Sequence, residues 1–194
     1  MRHIVTGYHG TDAGSAASID GGEFKPGEKG WFGPGIYFWE QDKGRALRWA
    51  DKVVKAPLPA VVQAELNLSN QVLDLTVESQ AKAYEKFISD LKVNFPQQYT
   101  KAFVAAKESD NFADSVWVAL YRKALAAGQT PRRVDSLRAV VLEASGYTGT
   151  MLATAAHLKD ANGRVARSRV VTKIAIMVVV YDAALISNVS ISPH

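Results

Sequence analysis

The residue types best able to do chemistry lie close together near the N terminus, in Tyr8-His9-Gly10-Thr11. An imidazole can donate or accept a hydrogen bond at neutral pH, and Thr11 adds a hydroxyl. A glycine directly after the histidine lets a ligand approach the backbone closely. A second group starts after a glycine-rich stretch, in Gly33-Pro34-Gly35-Ile36-Tyr37-Phe38-Trp39. Its glycines likewise open the backbone at a strand start. Strand alternation puts Tyr37 and Trp39 on one face, and Ile36 and Phe38 on the other. Phe38 reads as core, whereas Tyr37 follows the loop and offers a flat ring for stacking. Each feature alone has a plain alternative: a satisfied structural histidine, or a core aromatic cluster.

Other chemistries lack their residues. The chain has no cysteine, which excludes disulfides, thiolate zinc sites and cysteine nucleophiles. No pair among His3, His9, His157 and His194 has metal-ligand spacing. There is no HExxH, no P-loop, no GxGxxG after a strand and no GxSxG elbow. No metal is expected.

Elements must position these groups. Ile4 to Tyr8 reads as a strand, and residues 12–20 as a short helix capped by Asp12 and stopped at Gly21. Residues 21–35 hold six glycines and two prolines, which is loop chemistry. Residues 36–39 form an aromatic strand. Asp42 caps a helix to about Lys55, with Ala46, Trp49, Ala50 and Val53 on one face, ended by Pro57 and Pro59. Residues 60–68 and 72–75 read as strands. Helical spacing then dominates from about 76 to 128, with Gly128 as a C-cap. Strands return at 137–143 and 174–181. The second is an unbroken apolar run, as expected of a central strand buried on both faces. Strands, a helical block, then strands predict an α+β fold. With 194 residues, 47% of them hydrophobic and 22% charged, one domain over residues 1–194 is expected, with the block near 76–128 as an insertion.

In combination, Tyr-His-Gly-Thr, a short helix, a glycine-rich loop and Gly-x-Gly-Ile-Tyr-Phe resemble the ADP-ribosyltransferase superfamily, in its diphtheria-toxin and poly(ADP-ribose) polymerase branch. His9 and Tyr37 are 28 residues apart, a spacing that suits that branch. Phe24-Lys25-Pro26, residues 31–40 and Arg45-Ala46-Leu47-Arg48-Trp49-Ala50 are similar to a bacterial group of small proteins within it. Residues 66–75 and 134–143 carry a softer likeness, and the helical block carries none. The resemblance implies a split antiparallel β core wrapped by short helices, with NAD+ as co-substrate in the cleft. His9 would then bond the adenosine ribose, the Gly10 main chain the nicotinamide carboxamide, and Tyr37 would stack on the nicotinamide. Thr11 and Gly35 complete the implied cofactor-binding set.

That branch usually ends its catalytic triad with Glu, or sometimes Gln or another residue, on a late strand. Here two alignments are open. Counting from Thr172 puts Ala175 at the position, and counting back from Tyr181-Asp182 puts Met177 there. Both lie on one face of the strand, and neither does acid–base chemistry. Three explanations stand: the group is absent and the protein inactive, or a binder only; Glu143, Glu40 or Asp42 supplies it; or the chain is an inactivated variant.

The net charge is +4, and residues 159–173 hold five basic residues against one acid. The plain alternative is a solvated hairpin. In the implied fold this stretch faces the acceptor, so Arg164, Arg167 and Arg169 are expected to contact RNA or DNA phosphate. Two principal readings follow: a mono-ADP-ribosyltransferase, as a toxin or phage-defence effector with an antitoxin partner, or a non-catalytic NAD+- or ADP-ribose-binding module. A third is a basic nucleic-acid binder that uses no NAD+. The longest apolar run spans eight residues, Ile174 to Tyr181, against about 20 for a membrane span. With no signal-peptide pattern at the start, a cytoplasmic location is expected.

Overall fold

The computed structural model describes residues 3–20, 24–68, 71–109, 113–129, 131–144, 147–152 and 171–192. The fold is α+β. In chain order it runs β1 (His3–Asp12), α1 (Ala13–Asp20), β2 (Ile36–Glu40), α2 (Lys43–Trp49), β3 (Pro59–Leu68), β4 (Val72–Asp74), α3 (Glu78–Asn94), α4 (Pro96–Glu108), α5 (Ala113–Ala127), β5 (Ser136–Ala144), β6 (Tyr147–Leu152), β7 (Val171–Val180) and β8 (Ile186–Ile191). The strands form one sheet in the order β4-β5-β7-β2-β1-β3-β8, with β6 paired to β5. The sheet is mixed rather than antiparallel as expected, because β4 runs parallel to β5.

The first strand is longer than its apolar pattern predicts. It pairs with β3 along its whole length, from His3↔Leu68 to Asp12↔Pro59. His9, Gly10 and Thr11 therefore lie on a strand, not beyond its end. Its pairing with β2 is much shorter, confined to Gly7↔Glu40 and Tyr8↔Trp39. The sheet thus consists of two halves joined by a short ladder between β1 and β2.

Each face buries its own core. Trp39, Val61, Leu73, Leu137, Met177 and Val179 belong to one cluster. Residues of the helical block join that same cluster, among them Tyr84, Leu91, Ala102, Trp117 and Val118. The other face carries Val5, Ile36, Phe38, Leu66 and Val178, and continues through Ala60 and Val62 to Ala16 and Ile19 of α1. The alternation expected of Tyr37 and Trp39 against Ile36 and Phe38 is therefore what the two clusters display. On this second face a polar network crosses the sheet. Arg138 grips Glu40 with two bonds of 2.6 and 2.8 Å and reaches Thr76 at 2.7 Å and Asp74 at 3.3 Å.

Local chemistry sets the helix ends. Asp12 accepts from the Ser15 N–H at 3.0 Å and its hydroxyl at 2.6 Å, and Asp42 accepts from the Arg45 N–H at 2.8 Å. Both satisfy orphan donors of a first turn. A π-helical turn, Ala50–Val54, prolongs α2. It stops where Lys55 turns left-handed, before either proline. The strands β6 and β8 have no counterpart among the elements expected from the sequence.

Candidate functional site

The site lies where β1 and β2 part. After Tyr8↔Trp39 the next hydrogen-bonded pair of a continued ladder would be Gly10 with Tyr37. Instead the His9 ring takes the Tyr37 carbonyl, with Nδ1 at 2.9 Å. A carbonyl only accepts, so Nδ1 carries the proton and Nε2 of the neutral ring is left as an acceptor. Main-chain groups of alternate residues point the same way along a strand. Thr6 directs its carbonyl toward β2, where it accepts from the Gln41 N–H at 3.0 Å. By that alternation Gly10 directs its N–H and C=O into the split.

Burial sets the charge of the histidine. Its ring packs against Phe24 and Phe38, both with centroids 5.8 Å away. Desolvation pushes the His9 pKa below its ordinary value, and the bond to the Tyr37 carbonyl opposes this only in part. The imidazole is therefore neutral at pH 7. A depressed folded-state pKa means that the unfolded chain binds more protons between that pKa and 6.5, so stability falls as pH is lowered through this window. We expect the urea midpoint to drop between pH 7 and pH 5, and to drop less in His9→Gln. Parallel curves for the two proteins would show that His9 titrates normally.

Tyr37 occupies the opposite face, beside Trp39. Its hydroxyl accepts from the Phe32 N–H at 3.0 Å and donates to the Gly33 carbonyl at 2.5 Å. Burial raises its pKa, so it stays a phenol. The loop lies directly against the ring: a Cβ on Gly30 would overlap the Tyr37 hydroxyl and ring edge. Around it stand aromatics that sequence reasoning did not select. Trp31 and Trp49 meet edge-on with centroids 4.8 Å apart, and Trp49 lies 6.5 Å from Trp39. Tyr8, Trp31, Tyr37 and Trp49 all remain half-buried on this cluster. The signal available was the helical spacing of Trp49, which read as core.

Two glycines have a packing reason of their own. A Cβ on Gly10 would overlap the Ala46 carbonyl of α2, so its missing side chain admits a helix. A Cβ on Gly35 would come within 2.6 Å of Val179 Cγ1, so that space is filled by β7. Thr11 is buried opposite Ala60, on the His9 face of β1.

The late strand brings apolar groups to the Tyr37 face. Tyr37 pairs with Val179 and Trp39 with Met177. Ala175 lies two residues further along, opposite Val141. At about 3.3 Å per residue, Met177 is displaced from the Tyr37 register by roughly 7 Å and Ala175 by roughly 13 Å. Met177 is thus the diagonal neighbour of Tyr37, and both Met177 and Ala175 are buried. Two of the three substitute carboxylates are committed elsewhere. Glu40 is held by Arg138 on the opposite face. Asp42 caps α2 and also accepts from Arg45 Nε at 3.2 Å. Glu143 sits opposite Lys173, at the far end of the β5–β7 ladder. Arg164, Arg167 and Arg169 lie outside the described residues.

A groove of about 640 Å³ lies elsewhere, bounded by Ala13, Ala16, Leu47, Leu58 and Ile191, with Asp51 its one charged residue. It contains no predicted site residue. Among the described residues no three His, Cys, Asp or Glu side chains cluster as metal ligands, and no helix is long and apolar enough to cross a membrane. No family model, curated protein or solved structure matches the chain.

Proposed function

We propose that the protein is an NAD+-dependent mono-ADP-ribosyltransferase acting on a macromolecular acceptor, preferably nucleic acid. One observation carries this reading. The imidazole of His9 interrupts the β1–β2 ladder by taking the Tyr37 carbonyl, and so leaves a ring acceptor and the Gly10 main chain at the opening. A carboxamide needs one acceptor and one donor side by side, which a strand residue facing an unpaired edge supplies. The neutral His9 Nε2 can accept from a ribose hydroxyl. Aromatic rings around Tyr37 suit a flat heterocycle.

In the reaction the C1′–nitrogen bond to nicotinamide breaks, and its electron pair leaves with the now neutral nicotinamide. The acceptor oxygen or nitrogen forms the new bond to C1′ and loses its proton to solvent or a base. Holding the leaving group and ribose in a reactive geometry lowers the barrier without a carboxylate, since orientation alone can contribute up to about 7–11 kcal/mol. The expected biological setting is a bacterial toxin or phage-defence effector, kept in check by an antitoxin, with Arg164, Arg167 and Arg169 proposed to contact the phosphates of the acceptor.

A second reading, an NAD+- or ADP-ribose-binding module without catalysis, is favoured by the late strand. Its two candidate positions hold a buried alanine and methionine. Nicotinamide release from NAD+, measured with bacterial RNA and protein present, separates the readings. On the enzyme reading the chain releases nicotinamide, and Tyr37→Ala lowers the rate on the order of 10-fold to 100-fold, as expected for losing a stacked ring worth about 1–3 kcal/mol. Quenching of tryptophan fluorescence by NAD+ without release supports the module. Neither release nor quenching overturns both.

A further inference from the structure

Both hydroxyls nearest the loop over Tyr37 grip the same residue. The Phe32 N–H donates to Tyr37 Oη at 3.0 Å, while the Phe32 carbonyl accepts from Tyr181 Oη at 2.8 Å. Phe32 itself is buried, at 1% exposure, so neither main-chain group has water as a ready substitute. Tyr181 is fixed in turn from two sides. Its N–H donates to the Asp135 carbonyl at 2.9 Å. Its ring carries the Arg122 guanidinium 3.5 Å above the centroid, and Arg122, on α5, also donates to the Val134 carbonyl at 3.1 Å. A continuous chain of contacts thus runs from the helical block to Tyr37.

We infer that Tyr181, clamped by Arg122, is a positioning residue that sets the orientation of Tyr37 through the Phe32 main chain. The physical basis is the shared bridge. A residue held at its N–H only, or at its C=O only, can swing about the remaining bond; held at both, it is fixed. Removing the Tyr181 hydroxyl leaves the Phe32 carbonyl without that donor, in a place where an unmade bond is costly. The loop then relaxes, and Tyr37 Oη loses its aligned donor. Burial raises the pKa of both phenols, so both can donate across the neutral range. The functional consequence of this positioning rests on the NAD+ reading; the positioning itself does not.

The test uses the full chain labelled with 5-fluorotryptophan. Its four tryptophan signals are assigned by single Trp→Phe changes. Trp31 adjoins Phe32 and reports the loop, while Trp117 on α5 is the internal control. Tyr181→Phe and Tyr37→Phe should each move the Trp31 fluorine line in the same direction, with Trp117 unmoved. The double variant should move it no further than the larger single shift, because both changes release one bridge. Arg122→Lys, which keeps the charge but loses the planar stack, should give a smaller shift of the same sign. An unmoved Trp31 line in Tyr181→Phe, or fully additive shifts, overturns the inference. In parallel, Tyr181→Phe should weaken NAD+ quenching by about fivefold to tenfold, the equivalent of one hydrogen bond. If the unaltered chain shows no NAD+ quenching, the functional reading fails, and the fluorine shifts still decide the positioning role.

Discussion

Gly10→Val is expected to cost about 3 kcal/mol or more of folding stability, a large share of the ~5–15 kcal/mol a domain of this kind holds. The obstruction is backbone, not side chain. A Cβ at position 10 would overlap the Ala46 carbonyl, and a helix carbonyl cannot rotate away as a flexible side chain can. Nor can β1 yield, because its ladder with β3 is continuous on both sides of Gly10. The remaining response is for α2 to lift off the sheet, which exposes Ala46 and Ala50, both fully buried. Urea unfolding monitored by circular dichroism reads the loss directly. A midpoint unchanged from the parent chain would mean that α2 does not rest on Gly10. The same substitution is a poor probe of ligand binding, since its steric effect and any ligand effect arrive together. Changes at Tyr37 and Tyr181, which remove atoms instead of adding them, are the cleaner probes.

The local elements were legible where one physical signal dominated. Asp12 and Asp42 announced two helix starts by residue type, and each makes its capping bond. The apolar run 174–181 read as a central strand, and β7 indeed lies between β5 and β2. What escaped was set by partners far along the chain. The length of β1 follows from ten pairings with β3, which its own polar residues His9, Thr11 and Asp12 concealed. β8 is half exposed at a sheet edge, with Ser187, Asn188 and Ser190 in six residues, and so lacks the apolar alternation of a strand. The Arg138 clamp joins residues 98 apart in the chain, a pairing that no local pattern encodes.

At the candidate site the structure brings two of the expected residues together, on grounds other than those that singled them out. His9 and Tyr37 were selected for types and spacing, and the structure joins them by a ring-to-carbonyl bond instead of ring to ring. Their side chains leave the sheet on opposite faces, a consequence of strand alternation once both lie on paired strands. Gly10 and Gly35 were selected as openings for a ligand, yet their missing side chains are used by Ala46 and Val179. A glycine's sequence context does not say whether the close neighbour is a ligand or the protein itself.

The largest expected gain comes from placing a carboxylate on the late strand, and the strand register favours one of the two alignments. Met177 is the diagonal neighbour of Tyr37, being paired with Trp39, whereas Ala175 lies one further step away. On the NAD+ reading, Met177→Glu should raise nicotinamide release by about 100-fold or more at a pH where the new carboxyl is ionised, as a charge aimed at a developing cation does. Ala175→Glu should leave it unchanged. The gain has a cost, because Met177 is 2% exposed among Trp39, Ala139 and Val179. Burial raises the pKa of the new carboxyl above the ~4.3 it has when unfolded. The folded state then binds more protons than the unfolded one above that pH, so the penalty grows as pH rises. At pH 7 it should reach about 2–3.5 kcal/mol, since about 1.4 kcal/mol accrues per pH unit above ~4.3, and it should shrink near pH 4. Urea midpoints at the two pH values give the penalty, and release of nicotinamide gives the gain. Activity gained through Ala175→Glu alone would assign the third position to the other alignment. Two folded variants with no gain would mean that the missing carboxylate does not limit the reaction, and that binding, not bond cleavage, is what the split sheet is built to do.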